Sequence, residues 1–147
     1  MNRLSLWWQR VHARIHYAMA LLHRYYGNRH HLPSEHMRAI EALNRAIACD
    51  PTNARAYLVR GILWWRELDH PRRAVLDLTE AYRLNPRLAE ARFNRGVAYQ
   101  QLREYDKAIA DFEAYLEVGD HPYWREYARE MVEELRTWTH DAADSSS

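Results

Sequence analysis

The chain has 147 residues, 48% of them hydrophobic, so it can bury one compact core and is not disordered as a whole. Its 21 basic and 20 acidic residues leave a net charge of +1, which argues against a nucleic-acid partner. The single cysteine, Cys49, excludes an internal disulfide and suits a reducing compartment, so we expect a cytoplasmic protein.

A long first helix is predicted from residue 4 to about 31, because its apolar residues recur every three or four positions. This apolar stripe consists of Leu4, Trp8, Val11, Ile15, Ala18 and Leu22. Arg and His side chains interrupt it, which argues against a transmembrane span, and no unbroken apolar run indicates a signal peptide. Residues 1–34 hold five Arg and no acid. The helix is therefore predicted to cap the fold or, alternatively, to lie on an anionic membrane surface through residues 1–26.

Shorter helices follow in pairs. Pro33 breaks the first helix, and Ser34 is the predicted N-cap of a helix over residues 35–48. Further helices are expected near residues 54–67, 71–84, 90–102 and 105–116. The last two are separated by Arg103 and Glu104 alone, so they must lie antiparallel and in contact. The closest backbone approach is predicted between Gly96 and Ala108.

The chain is predicted to close with a helix from Pro122 to about Trp138, which has one apolar and one charged face, as a helix that ends a stack requires. Residues 139–147 end in three serines and are predicted to be a disordered tail. Net charge is +5 over residues 1–34, +4 over residues 35–103 and −8 over residues 104–147. Ordinary solvated surface explains this gradient, and head-to-tail self-association is the alternative.

Small residues recur along the chain at a fixed interval. Gly27, Gly61 and Gly96 are spaced 34 and 35 residues apart. Ala39, Ala74 and Ala108 repeat at the same two intervals, each followed four residues later by Leu or Phe, and Pro51 and Pro86 close the first two units. A 34-residue unit of this pattern resembles the tetratricopeptide repeat. The resemblance covers about residues 20–122, with one residue inserted near the turn at residues 68–71.

The resemblance implies an all-α fold, a right-handed superhelical array of helix-turn-helix hairpins. The repeats are expected at about residues 20–53, 54–88 and 89–122, preceded by the long first helix and followed by a capping helix over residues 122–138. Together these elements make a single domain over residues 1–138.

The resemblance also implies a function. Such arrays bind a protein or peptide in a concave groove that is lined by the first helix of each hairpin, so the chain is predicted to be a non-enzymatic adaptor. Carried over to this sequence, the groove residues are Arg24, Asn28, His31, Arg55, Leu58, Ile62, Trp65, Arg66, Glu90, Phe93, Asn94, Val97 and Gln100. Because Arg outnumbers Glu on this face, the partner is expected to be acidic. Phe93 and Trp65 are the predicted apolar anchors.

One subclass of these repeats clamps a C-terminal carboxylate with basic and Asn side chains. Arg24 and Asn28 match that pattern, whereas Val59, Glu90 and Asn94 depart from it. Because this recognition depends on charge pairing, we do not expect capture of chaperone tails.

Signatures of catalysis are missing from the sequence. It contains neither a Gly-rich phosphate loop nor a GxSxG elbow. Cys49 ends a predicted helix, where the helix dipole disfavours a thiolate. His12 and His16 have the spacing of metal ligands but no acid or Cys within residues 1–34 to complete a site. We therefore expect no enzymatic activity, cofactor or metal. The competing hypotheses are a membrane-surface protein and, more weakly, an enzyme accessory subunit with a histidine metal site.

Overall fold

The computed structural model describes residues 3–144, with side chains over residues 5–140, and the described chain forms seven α-helices. They are α1 (Arg3–His30), α2 (Pro33–Cys49), α3 (Ala54–Arg66), α4 (Pro71–Leu84), α5 (Ala89–Gln101), α6 (Tyr105–Val118) and α7 (Pro122–Asp144). The pairs α1–α2, α3–α4 and α5–α6 form hairpins, each hairpin contacts the next, and α7 packs on α6. The predicted all-α hairpin array is confirmed. No helix in residues 3–144 is long and apolar enough to cross a membrane.

Each hairpin turns through one residue in the left-handed backbone region. These residues are His31, Asp69 and Arg103, with φ between 52° and 60°. In the first and third turns the next amide N–H donates to the carbonyl five residues back, Leu32 to Gly27 and Glu104 to Tyr99, as in a Schellman motif. In the second turn the amide N–H of His70 donates to the carbonyl of Trp64, six residues back. The extra residue of the second repeat therefore lies in this turn, as predicted.

Small residues let the paired helices approach closely. A Cβ atom at Gly96 would lie 3.0 Å from the ring of Phe112, and one at Gly61 would lie 2.7 Å from Leu78. The ring of Phe112 fills the space against Gly96, and the closest backbone approach at Gly96 and Ala108 stays a prediction. Phe112 and Leu78 are fully buried, so these two contacts form the centres of their hairpins.

An ion pair recurs at the same place in the second and third hairpins. Arg60 donates two hydrogen bonds to the carboxylate of Asp77, at 2.8 and 2.7 Å, and Arg95 donates two to Asp111, both at 2.7 Å. Each Arg also reaches the preceding hairpin: Arg60 bonds Asn44 on α2 and Arg95 bonds Thr79 on α4. The pairs therefore join the two helices of one hairpin and attach them to the previous hairpin.

The buried face of α1 is not the predicted one. Ala13, Ala20 and Gly27, seven residues apart, are buried, whereas Trp8, Ile15 and Leu22 of the predicted stripe are 53%, 51% and 54% exposed. The small side chains allow α1 to lie close to α2, and this contact leaves the apolar stripe on the other side of the helix. The side chain of residue 4 lies outside the described side chains.

Two predicted boundaries also change. Helix α2 begins at Pro33 with Leu32 as its N-cap residue, so Ser34 lies in the first turn and makes no capping hydrogen bond. Pro at the first position already has the helical φ, and its missing N–H needs no cap. Helix α7 continues to Asp144, so the disordered tail was wrongly predicted for residues 139–144. Residues 145–147 of that predicted tail lie outside the described residues.

Candidate functional site

The first helix of each hairpin, together with α7, borders one concave groove of about 840 Å³. The side chains that line it come from α1, α3, α5, α6 and α7, from the residue after α3, and from the connections before α5 and α7. Most of the predicted groove residues are among them: Arg24, Asn28, Arg55, Ile62, Trp65, Arg66, Glu90, Phe93, Asn94 and Val97. The 34-residue register thus brought residues from three distant parts of the chain to one surface.

The half of the groove between α1 and α3 is basic. Arg24, Arg55 and Arg66 line it together with Glu67, and Arg87 lines the groove from the connection that precedes α5. Within the described residues, Arg24, Arg55 and Arg87 form no ion pair, and Arg66 lies 3.5 Å from the carboxylate of Glu67. Because these guanidinium groups have little internal neutralisation, this half of the groove attracts acidic groups.

The half of the groove between α5 and α7 is aromatic. The ring of Phe93 contacts those of Phe112, Tyr115, Trp124 and Tyr127, with centroid distances from 5.0 to 5.8 Å. Phe93 is only 6% exposed, whereas Trp124 is 38% exposed. Phe93 is therefore not the exposed anchor that we predicted, since the other rings cover it. Trp124 presents the accessible ring at this end of the groove.

Two tyrosines in this half stay neutral near pH 7. Burial raises the pKa of the Tyr115 phenol, and the charges of Asp120 and Glu90 raise it further. Burial likewise raises the pKa of Tyr127. Both tyrosines line the groove. Both phenols are therefore neutral, and Tyr115 lies near the carboxylates of Asp120 and Glu90, so this end of the groove does not favour an acidic ligand.

A hydrogen-bonded pair joins the two halves. The indole N–H of Trp65 on α3 donates to the side-chain oxygen of Asn94 on α5, at 3.3 Å. The amide of Asn94 in turn donates to the backbone oxygen of Glu90, at 2.7 Å. Trp65 is half-buried, so its ring is both a part of the core and a part of the groove wall. These bonds hold the centre of the groove in one shape.

Three predicted site residues lie elsewhere. Leu58 is buried in the core, and Gln100 donates to the sulfur of Met131, at 3.3 Å, which ties α5 to α7. His31 lines a second, smaller cavity of about 400 Å³ beside the turn between α1 and α2. Asn28 also borders this cavity and lies 3.0 Å from a ring nitrogen of buried His36.

Sequence reasoning missed the contribution of α7. Trp124 and Tyr127 line the groove although we assigned their helix to capping alone. The sequence did indicate this contribution, because Trp124 and Tyr127 lie one further repeat length of 34 residues after the groove positions Glu90 and Phe93. Tyr115, which replaces a usual alanine, also lines the groove. Its ring fills space that an alanine would leave open.

Metal ligation has no support in the described part of the chain, where no group of three or more His, Cys, Asp or Glu side chains is placed to hold an ion. The rings of His12 and His16 lie 6.4 Å apart on α1. The arrangement offers charge, aromatic surface and hydrogen-bonding groups, which are the means of binding an extended chain.

Comparison with known proteins agrees with this architecture. Residues 69–133 match the family model of the tetratricopeptide repeat. No curated protein matches the chain. The Arabidopsis OM64 TPR domain is similar in structure, with 24% identity and a TM-score of 0.67 over 83% of this chain and 98% of that domain.

Two similar structures contain peptides. The second TPR domain of human RPAP3, in complex with the HSP70 peptide SGPTIEEVD, has 23% identity and a TM-score of 0.67 over 84% of this chain and 98% of that one. The Yersinia enterocolitica type III secretion chaperone SycD, in complex with a peptide of the translocator YopD, has 14% identity and a TM-score of 0.73 over 86% and 93%. Together with the repeat register and the hairpin array, these matches show that residues 69–133 fit the tetratricopeptide-repeat family and that the chain has the fold of tetratricopeptide-repeat domains.

Proposed function

We propose that the concave groove binds a peptide segment of a partner protein, with acidic residues toward α1 and α3 and an apolar side chain against Trp124. The observation that carries this proposal is the division of one groove into a basic half and an aromatic half. Exposed Arg side chains attract the acidic part of the partner, and their contribution weakens with salt. An accessible aromatic ring beside a buried cluster is typical of residues that dominate binding.

The division also gives the bound peptide a direction. Glu90 and Asp120 line the aromatic half, and they disfavour a second acidic segment at that end. Net negative charge in the ligand is therefore expected to be concentrated at one end of the peptide. A peptide with the same composition but the reversed sequence should bind more weakly.

Similar domains bind chaperone tails, but this groove differs from a carboxylate clamp. Arg24 and Asn28 line the groove, whereas Val59 is buried outside it. Asn94 is already bonded to Trp65, and Glu90 places a carboxylate where a clamp needs a cation. We therefore expect an internal acidic segment to bind better than a free C-terminal carboxylate. A cytoplasmic location fits a binding module of this kind and stays a prediction.

A phage-displayed library of random peptides tests the proposal. Selected peptides should contain more acidic than basic residues together with an aromatic or aliphatic residue. In fluorescence polarisation, Arg24→Glu with Arg55→Glu should weaken their binding at least about tenfold, because two attractive charges become repulsive. The control is Arg45→Glu with Arg72→Glu, which changes the net charge equally on exposed parts of α2 and α4 outside the groove.

A second pair of variants tests the aromatic half. Trp124→Ala should weaken the same peptides, whereas Tyr123→Ala should not, since Tyr123 is more exposed and does not line the groove. Circular dichroism confirms that each variant is folded. Selected peptides that bind all four variants with unchanged affinity would show that the groove is not the binding site.

A further inference from the structure

The outer face of α1 is a continuous apolar surface that no other part of the described chain covers. Six large side chains on it are 43% to 57% exposed: Trp8, Ile15, Met19, Leu22, Tyr25 and Tyr26. The opposite face of α1, with Ala13, Ala20 and Gly27, is the one buried against the fold. The exposed apolar face is therefore additional to the contacts that hold α1 in place.

Four of these exposed side chains, Trp8, Ile15, Leu22 and Tyr25, belong to a heptad pattern. Residues 8, 11, 15, 18, 22 and 25 alternate steps of three and four, which is the spacing of positions a and d in a coiled coil. We define these six residues as the seam of α1. Val11 and Ala18 complete the seam, while Met19 and Tyr26 flank it. No charged residue occupies the seam.

The seam allows an antiparallel pairing in which every side chain meets another apolar side chain. Centred between Ile15 and Ala18, it places large Trp8 opposite large Tyr25, Val11 opposite Leu22, and Ile15 opposite small Ala18. In an antiparallel pair with a two-fold axis at this centre, residue i of one copy contacts residue j of the other and j contacts i, so large Ile15 meets small Ala18 at both central contacts.

We propose that a second copy of this chain covers the seam, with the two α1 helices antiparallel about a two-fold axis that passes between Ile15 and Ala18. In each half of the interface Trp8 packs on Tyr25 of the partner subunit and Val11 on Leu22 of the partner subunit. Arg24 and Asn28 lie outside the seam and border the groove, so each copy keeps its own groove. The dimer would present two grooves for one partner.

The size of the surface suits such a dimer. Half of the surface of a large side chain amounts to about 100 Å². The six large exposed side chains of α1 would therefore bury about 600 Å² per copy and about 1,200 Å² in total. This area is at the lower end of specific interfaces. Contiguous apolar patches of this size are at the upper limit for a monomer. The interface is thus sufficient for a dimer that dissociates on dilution.

A head-to-tail contact fits the surface less well. It would place the seam against the outward face of α7, which carries Glu126, Glu130, Glu133 and Glu134. Apolar side chains would desolvate those carboxylates, and the seam would supply no partner charge because none of its residues is basic. An anionic membrane is a competing occupant, and the experiment distinguishes it.

Sedimentation equilibrium of the full chain tests the proposal. We expect a reversible dimer with twice the mass of the single chain. Ile15→Glu with Leu22→Glu should yield a monomer that keeps its helicity by circular dichroism, because both side chains are exposed within one copy. The control is Leu76→Glu, since Leu76 on α4 is 72% exposed and lies outside the seam. This control should dimerise as the unaltered chain does.

Cross-linking tests the antiparallel register, in a Cys49→Ser background that contains no other thiol. Copies with Val11→Cys and copies with Leu22→Cys should link to each other through a short bismaleimide when they are mixed, and neither should link efficiently to itself. Self-linking of each variant would indicate parallel helices and overturn the register. A monomer at every soluble concentration would overturn the dimer, as would a monomer that floats with phosphatidylserine vesicles through Ile15 and Leu22.

Discussion

The ion pair between Arg95 and Asp111 allows a quantitative test of how the third hairpin is held together. In Asp111→Ala the guanidinium of Arg95, only 17% exposed, loses two hydrogen bonds of 2.7 Å. Its remaining hydrogen-bond partner is the Thr79 hydroxyl, at 3.0 Å, while the rings of Tyr82 and Tyr99 lie 5.9 Å away. Asp111 raises the pKa of Arg95 in the unaltered chain. Arginine keeps its proton at neutral pH without that carboxylate as well, so the variant leaves a cation that has lost its partner.

The expected cost follows from the burial of the pair. Breaking a buried ion pair by removal of one partner costs about 3 to 5 kcal/mol, and we take about 3 because Arg95 keeps some access to water. With a urea m-value of about 2 kcal/mol/M, the unfolding midpoint should fall by about 1.5 M. Circular dichroism during a urea titration at neutral pH measures this shift.

The matched control removes both charges. Arg95→Met with Asp111→Leu leaves no uncompensated cation, so it should cost less than Asp111→Ala alone. For Arg60 and Asp77, whose pair has similar burial, we likewise expect the double variant to cost less stability than removal of the carboxylate alone. If Asp111→Ala costs less than about 1 kcal/mol, or if the double variant is the less stable one, the pair does not hold the hairpin in the way described.

Three further outcomes are expected. Deletion of residues 122–147 removes the rings that cover Phe93 and should cause aggregation on size-exclusion chromatography; a stable, monomeric truncation would contradict the role of α7. Ala74→Leu or Ala108→Leu, at fully buried positions, should cost about 1 to 3 kcal/mol in a urea titration, and equal stability would refute the register. The pKa of Glu35 is lowered from its usual 4.5, and the largest cause is its hydrogen bond with His23. The ionised carboxylate therefore stabilises the fold above pH 4.5, and this contribution is lost as the pH falls through the lowered pKa. Glu35→Gln should therefore lower the melting temperature at pH 7 but not at pH 3, and an equal effect at both values would contradict this.

The repeat register carried most of the structural information in the sequence. Gly61 and Gly96 recur because a Cβ atom at either would press on the neighbouring helix, and this requirement is local to each hairpin. Hairpins of one length then stack in one way, so the register predicted both the array and most of the groove. The same step extended to Trp124 and Tyr127 would have predicted the rest of the aromatic half.

Other features depended on which surfaces meet in three dimensions. Apolar periodicity identified the stripe of α1 but not whether anything covers it, and the small side chains of Ala13 and Ala20 allowed the opposite face to pack. Phe93 occupies a groove position in the register, yet four further aromatic rings from α6 and α7 bury it. The sequence by itself determined the repeat, its hairpins and the side of the array that forms the groove, because those follow from local spacing. Only the tertiary structure decided which side chains are accessible on that side, because accessibility depends on every helix that packs nearby.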